Sequence, residues 1–291
     1  MSQAAGKTGV GPAVSVAIEQ HFPPQQRIIT DHLARSIVPF GMRLIIGLTR
    51  PAFMRDWFIG ALEKPAPGIW SGLMCRKRYI AAQFHQSLER MEGVVNLGAG
   101  FDTLLYQPDA PAQIPAWEVD QAANIAAKQA RLHAIFGSAP AHITLVAIDF
   151  DKESLEQTLA RHGYIAAKRT FFIWEAVTQY LSEAGVRFTC AFLQQAAAGS
   201  RLVLTFVRRD FLEGRNLYGQ AALYQQYVRD EQIWRFGLDP EEAQAFLGSY
   251  GWRIIEMPGF AELAERYVKP TGRTLSTTPL EYVVLAERNE H

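Results

Sequence analysis

Four positions in the middle of the chain carry residue types that suit ligand chemistry, and each follows an apolar run. The first is Gly98-Ala99-Gly100, which follows Val94-Val95-Asn96-Leu97 and precedes Asp102-Thr103. Glycine serves where the backbone takes unusual dihedrals or lets a ligand come close. Asp120 ends Ala116-Trp117-Glu118-Val119, twenty residues after Gly100. Asp149 follows Ile143–Ile148, and Glu175 follows Thr170–Trp174. An acid at the end of a second strand suits ribose hydroxyls. Asp149 offers a carboxylate to an amino group, and Phe150 offers a ring to stack on a base. Any one of these acids alone reads as a helix cap or a solvated loop. Three in register beside a glycine turn favour a ligand-binding edge. The dinucleotide fingerprint wants a further glycine three residues after Gly100. Thr103 stands there, which disfavours a pyrophosphate cofactor and a nicotinamide-dependent oxidoreductase.

Parallel strands would bring these positions to one rim. Residues from about Ile18 to Arg90 read as helices broken by Pro23-Pro24, Pro39, Pro51 and Lys64-Pro65-Ala66-Pro67-Gly68. They should cover the sheet edge. Strand and helix signals then alternate: strands at Val94–Leu97, Ala116–Asp120, Ile143–Ile148, Thr170–Trp174 and Arg201–Val207, with helices at Gln121–Phe136, Lys152–His162 and Ser182–Ala198. Asp102–Tyr106 should open a helix, capped by Asp102 or Thr103. Arg208–Gly237 is rich in aromatics and carries no strand signal. Asp239-Pro240-Glu241-Glu242 opens another helix, before strands at Trp252–Glu256 and Glu281–Ala286. The pattern predicts an α/β fold with a seven-stranded, mostly parallel, Rossmann-like sheet and helices on both faces. It divides into residues 1–17 without regular structure, a helical cover at 18–90, and a main domain at 91–291 with a lid insert at 208–237.

Composition narrows the function classes. The 291 residues balance 29 Lys and Arg against 29 Asp and Glu, and 48% are hydrophobic. The core can be large, and no charge excess points to nucleic acid or to an anionic membrane. Cys75 and Cys190 are too few and too far apart for a disulfide framework or a zinc site, so no metal is expected. A reduced, cytoplasmic setting fits. The small, polar start of the chain lacks the basic and apolar regions of a signal peptide. Ile37–Leu48 is too short to span a bilayer. It reads as a packed helix, with a membrane-surface helix as the alternative.

Several strings together resemble the class I S-adenosylmethionine-dependent methyltransferases, and more narrowly the leucine carboxyl methyltransferase family with its bacterial members. They are Val95-Asn96-Leu97-Gly98-Ala99-Gly100-Phe101-Asp102-Thr103, Trp117-Glu118-Val119-Asp120, Ala147-Ile148-Asp149-Phe150, and Phe172-Ile173-Trp174-Glu175-Ala176-Val177-Thr178-Gln179-Tyr180-Leu181. Phe236-Gly237-Leu238-Asp239-Pro240 and Tyr250-Gly251-Trp252 also fit, so the resemblance runs from about Arg27 to Arg288. It implies S-adenosyl-L-methionine as cofactor. Gly98, Ala99 and Gly100 would carry its methionine part, Asp120 its ribose, and Asp149 and Phe150 its adenine. Glu175 would sit near the methionine amino group or the sulfonium. An arginine before the first strand would grip the cofactor carboxylate, with Arg76 the first choice and Arg78 the second. Trp174 and Thr178 depart from the family pattern, and Arg76 lies closer to Gly98 than in the eukaryotic protein-methylating members. Both differences put a protein substrate in doubt.

The expected activity is methyl transfer to oxygen of a small acceptor, carboxylate or hydroxyl, in an aromatic pocket under a lid. None of the seven histidines falls at a strand end or in the insert, so no general base stands out. Tyr180, Tyr218, Tyr224, Tyr227 and Trp234 are the candidate acceptor contacts, with Tyr224 and Tyr227 on one helical face. Arg208, Arg209 and Arg273 could meet an acceptor carboxylate. The rival readings are a methyltransferase acting on a protein C-terminal carboxyl and a non-catalytic cofactor-binding module.

Overall fold

Alternate residues along the central strands face opposite layers, as the pleat requires. Val94, Phe171, Ile173 and Val203 enter one buried core, while Val95, Phe172, Trp174 and Leu202 enter the other. This computed structural model describes residues 9–150 and 152–289. Its strands are β1 Gly93–Leu97, β2 Ala116–Asp120, β3 Ile143–Ala147, β4 Thr170–Trp174, β5 Arg201–Val207, β6 Trp252–Glu256 and β7 Glu281–Arg288. They form one sheet in the order β3-β2-β1-β4-β5-β7-β6. The first five strands pair in parallel, and β7 runs antiparallel to both β5 and β6. The chain winds outward from β1 to β3 and returns to β4 on the other side of β1. The carboxyl end of β1 is therefore the point of reversal, where open sheets bind ligands.

Five helices precede the sheet: α1 Val10–Glu19, α2 Ala34–Ile37, α3 Phe40–Leu48, α4 Ala52–Glu63 and α5 Ile69–Ser87. Between strands lie α6 Ala122–Phe136, α7 Leu155–Arg161 and α8 Glu183–Leu193. The segment after β5 carries α9 Arg209–Leu212 and α10 Ala221–Leu223, which runs into a π-helix at Tyr224–Asp230. Helices α11 Ala243–Gly248 and α12 Phe260–Tyr267 flank β6. The first core joins α1–α5 and α12 to the sheet, and the second joins α7, α8 and α11 to its other side.

The structure corrects four expectations. Within the stretch 1–17, expected to lack regular structure, residues 1–8 lie outside those described, but α1 begins at Val10. Ala13, Val14, Ala17 and Ile18 repeat at helical spacing and are buried. The N-terminal helices pack on a face of the sheet rather than its edge, with α5 against β4, β5 and β7. No α-helix follows β1: a single 3-10 turn, Leu104–Tyr106, stands there, and neither Asp102 nor Thr103 caps it. Helix α8 starts where expected, with the Ser182 hydroxyl accepting from Gly185 N at 3.1 Å, but ends at Leu193 rather than Ala198.

Candidate active site

The glycine turn is fixed by its neighbours. Gly98 has φ of 75°, and a Cβ there would come within 2.3 Å of Val177 Cγ2. Its N–H donates to the Val119 carbonyl at 2.7 Å. Gly100 has φ of 45° and donates its N–H to Asp120 Oδ2 at 2.7 Å. Asp120 Oδ1 accepts from Gln121 N at 2.7 Å and from Asn124 Nδ2 at 2.8 Å. A carboxylate offers about four lone-pair sites, so this acid braces the turn and keeps capacity for one more donor.

Helix α5 brings two cations over the ends of β1 and β4. Arg76 Nε lies 2.8 Å from Glu175 Oε1, and its Nη1 lies 2.5 Å from Glu281 Oε2. Lys77 Nζ lies 2.9 Å from Asp102 Oδ1 and 3.0 Å from Glu175 Oε2. Burial pulls the Arg76 guanidinium toward neutrality, but the Glu281 and Glu175 carboxylates outweigh it and hold its pKa above the ordinary value. Burial likewise opposes the charge on Lys77, and Asp102 and Glu175 reverse the effect. Asp102 is pushed up by burial and brought below its usual value by Lys77 and Lys128. The result is a largely buried lattice of two cations and three carboxylates in which every charge has a partner.

Arg76, Gly98, Ala99, Gly100, Glu175 and Tyr180 all line one cavity of about 120 Å³ at this turn, with Lys77 and Asp102. Arg78 stands outside it, in the wall of a neighbouring cavity of about 670 Å³. Asp120 lies behind the turn. Asp149 and Phe150 are not among the residues of this wall: Asp149 is half-exposed with Lys152 Nζ 3.3 Å away, and Phe150 packs against the second core. Sequence reasoning weighed Arg76 and Arg78 but not Lys77 between them, although it adjoins Arg76 on the helix. It also passed over Asp31, which accepts from the Thr103 hydroxyl and lines the same cavity.

A second cavity of about 680 Å³, largely apolar, adjoins the first, and Arg76, Ala176 and Tyr180 belong to both walls. Tyr227 and Trp234 line it, stacked on one another with centroids 5.0 Å apart. Tyr218 and Tyr224 do not line it. Tyr218 donates its hydroxyl to Asp210 beside Arg208, and Tyr224 meets Phe211 edge to face at 5.6 Å. The π-helix widens the turn, so residues three apart diverge onto different partners. The three candidate arginines also have other partners: Arg208 has Asp210, Arg209 has Glu242, and Arg273 has the buried Glu19. The wall of the second cavity holds polar atoms with no protein partner: Gln179 Oε1, Gln220 Oε1, Thr278 Oγ1, Trp234 Nε1 and Glu281 Oε1. Gln220 Nε2 donates to the Pro67 carbonyl at 2.5 Å, which sets the orientation of that amide. Among the described residues, no group of three or more His, Cys, Asp or Glu could hold a metal ion.

Known proteins extend these observations. The sequence pattern of the family described as leucine carboxyl methyltransferase matches residues 9–194. A Streptomyces coelicolor protein named as a candidate S-adenosyl-L-methionine-dependent methyltransferase is 30% identical over 238 residues, covering 76% of this chain and 78% of its own. A similarly named Streptomyces avermitilis protein is 31% identical over 187 residues, covering 64% of this chain and 62% of its own, so the chain spans under two thirds of that relative. Among solved structures, a candidate methyltransferase from Thermobifida fusca has the same fold, with a TM-score of 0.58 at 14% identity over 81% of this chain and 89% of that one. The family pattern and the Streptomyces coelicolor relative show that this chain belongs to the leucine carboxyl methyltransferase family, among the S-adenosylmethionine-dependent methyltransferases.

Proposed function

We propose that this chain transfers a methyl group from S-adenosylmethionine to an oxygen, carboxylate or hydroxyl, of a small and mostly apolar acceptor. The observation that carries the reading is the common wall of the two cavities, formed by Pro12, Arg76, Ala176 and Tyr180. The polar cavity suits the amino-acid end of the cofactor, with Glu175 facing its ammonium and Arg76, Lys77 and the backbone of the turn facing its carboxylate. Asp120 has a lone pair left for a ribose hydroxyl. Asp149 and Phe150 remain the candidates for adenine, beyond the cavity of about 120 Å³. The bound cofactor supplies an electrophilic methyl on a sulfonium. The protein's part is to bring the acceptor oxygen in line with it and to keep water out.

The apolar cavity suits the acceptor, because such sites combine apolar walls with a few placed polar groups. The 208–237 segment acts as its lid, with Tyr227 and Trp234 against the acceptor. The test is calorimetric titration with S-adenosylhomocysteine, with NADH as the control, followed by transfer of labelled methyl from S-adenosylmethionine to small phenols and acids. Binding of the first ligand alone and a labelled organic product support the reading. Binding of NADH alone sinks it.

A further inference from the structure

Among the described residues, eight of the twelve exposed large hydrophobic side chains lie between Phe40 and Ile69. They are arranged as stripes. Phe40, Leu44 and Leu48 recur every four residues on α3, and Phe53 and Trp57 do so on α4, so each set shares one helical face. Phe53 is 72% exposed, Trp57 69% and Phe40 68%. A helix in a water-soluble fold turns such a stripe inward. These two turn it outward in consecutive segments of the chain, and clustered exposed apolar side chains of that kind mark an interaction site.

The charge around the stripes says what the partner is. The chain as a whole is neutral. Between residues 33 and 70 it carries Arg35, Arg43, Arg50, Arg55 and Lys64 against Asp56 and Glu63. Arg55 is buried and paired with Asp56, and Glu63 accepts from the N–H groups of Gly68 and Trp70. Arg35, Arg50 and Lys64 are exposed, with Arg50 between the two helices in sequence and Lys64 at the end of α4, and the exposed Asp56 is the carboxylate paired with buried Arg55 there. Apolar helices lying flat, with aromatic rings and a cationic fringe, match the headgroup boundary of an anionic bilayer. Among the described residues no helix is long and apolar enough to cross a membrane, so the contact is one of surface docking.

The same helices also build the large cavity. Met42 of α3, Phe58 and Leu62 of α4, and Ile69 of α5 line it, and Leu62 and Ile69 are among the exposed eight. These two side chains give the cavity an exposed apolar rim beside α4. We propose that α3 and α4 dock this protein on an anionic lipid surface, and that an apolar acceptor enters the 680 Å³ cavity from that surface. The second half rests on the methyl-transfer reading; the docking itself does not.

The test is co-sedimentation of the full chain with vesicles of phosphatidylcholine mixed equally with phosphatidylglycerol, compared with phosphatidylcholine alone. Binding is expected to the mixed vesicles only and to weaken as salt rises. The double variant Phe53→Ser/Trp57→Ser should lower the bound fraction by about tenfold or more while S-adenosylhomocysteine binds as before. Arg50→Glu, a surface charge change, should weaken vesicle binding without touching the apolar faces. Absence of binding to either vesicle overturns the proposal, and so does equal binding to both. A dimer in sedimentation velocity that the double variant dissolves, with no vesicle binding, assigns the face to a second copy and overturns it too. Loss of S-adenosylhomocysteine binding in the unaltered chain would sink methyl transfer and leave the vesicle result standing.

Discussion

Arg76 Nη1 lies 2.5 Å from Glu281 Oε2, although 205 positions separate the two residues. The same guanidinium holds Glu175. One side chain of α5 therefore ties the end of β4 to the start of β7, at the wall between the two cavities. Removing it strands Glu281 and leaves Glu175 to Lys77 alone, both largely out of water. We expect Arg76→Ala to cost about 3–5 kcal/mol of stability, the usual penalty for breaking a buried pair, and to abolish S-adenosylhomocysteine binding. Urea unfolding checks the first part and calorimetry the second. A loss under about 1 kcal/mol would mean that the pair is no stronger than a surface one.

The two glycines of the turn should respond unequally to alanine. Both have positive φ, which costs an L residue about 1–2 kcal/mol. At Gly98 the new methyl would also meet Val177 Cγ2 at 2.3 Å, whereas at Gly100 the nearest atom is Gly9 Cα at 4.0 Å. Gly98→Ala is expected to be the more destabilising, and Val177→Ala should partly rescue it. Thermal melts of the three variants decide this, and equal losses would remove the steric account.

Asp120→Asn should loosen the turn without emptying space. Its carboxylate accepts from Gly100 N, Gln121 N and Asn124 Nδ2, and an amide has one oxygen where the acid had two. The expected cost is about 1–3 kcal/mol for the partner left unsatisfied. S-adenosylhomocysteine affinity should fall with it. An unchanged urea midpoint would show that the turn holds its shape alone.

Asp102 makes a prediction about acid. Its folded pKa lies below the ordinary 3.8 because of Lys77, then Lys128, against the upward push of burial. A lowered folded pKa contributes stability that is fully present above the unfolded value and is lost as the pH falls through the folded one. The stability gap between the unaltered chain and Asp102→Asn should be constant from neutral pH to about 5 and should shrink below about 4. Urea midpoints across that range measure it. A gap that widens in acid would reverse the sign.

The sheet and the glycine turn were legible because apolar runs, glycines and acids recur at fixed places in a parallel α/β chain. All seven strands stand where the pattern put them, apart from small differences at their ends. What the sequence hid was set by tertiary contact. Asp102 looked like a helix cap but is held by Lys77 on a helix earlier in the chain. Arg273 looked available to a ligand but reaches back to Glu19, which Trp70 Nε1 also contacts at 3.0 Å. Helix α1 was missed because its small residues resemble a solvated tail, although Val10, Ala13, Val14, Ala17 and Ile18 already carried the helical period.

The antiparallel β7 stands between β5 and β6, and this sets a timetable for the nascent chain. A ribosome delivers β5 and then β6 well before the strand that must separate them. Until residues 281–288 emerge, β5 presents an open edge and β6 has no sheet neighbour. Open edges invite pairing with other chains. Synthesis thus opens an interval in which this fold is most exposed to aggregation, and that interval closes only when β7 slots in.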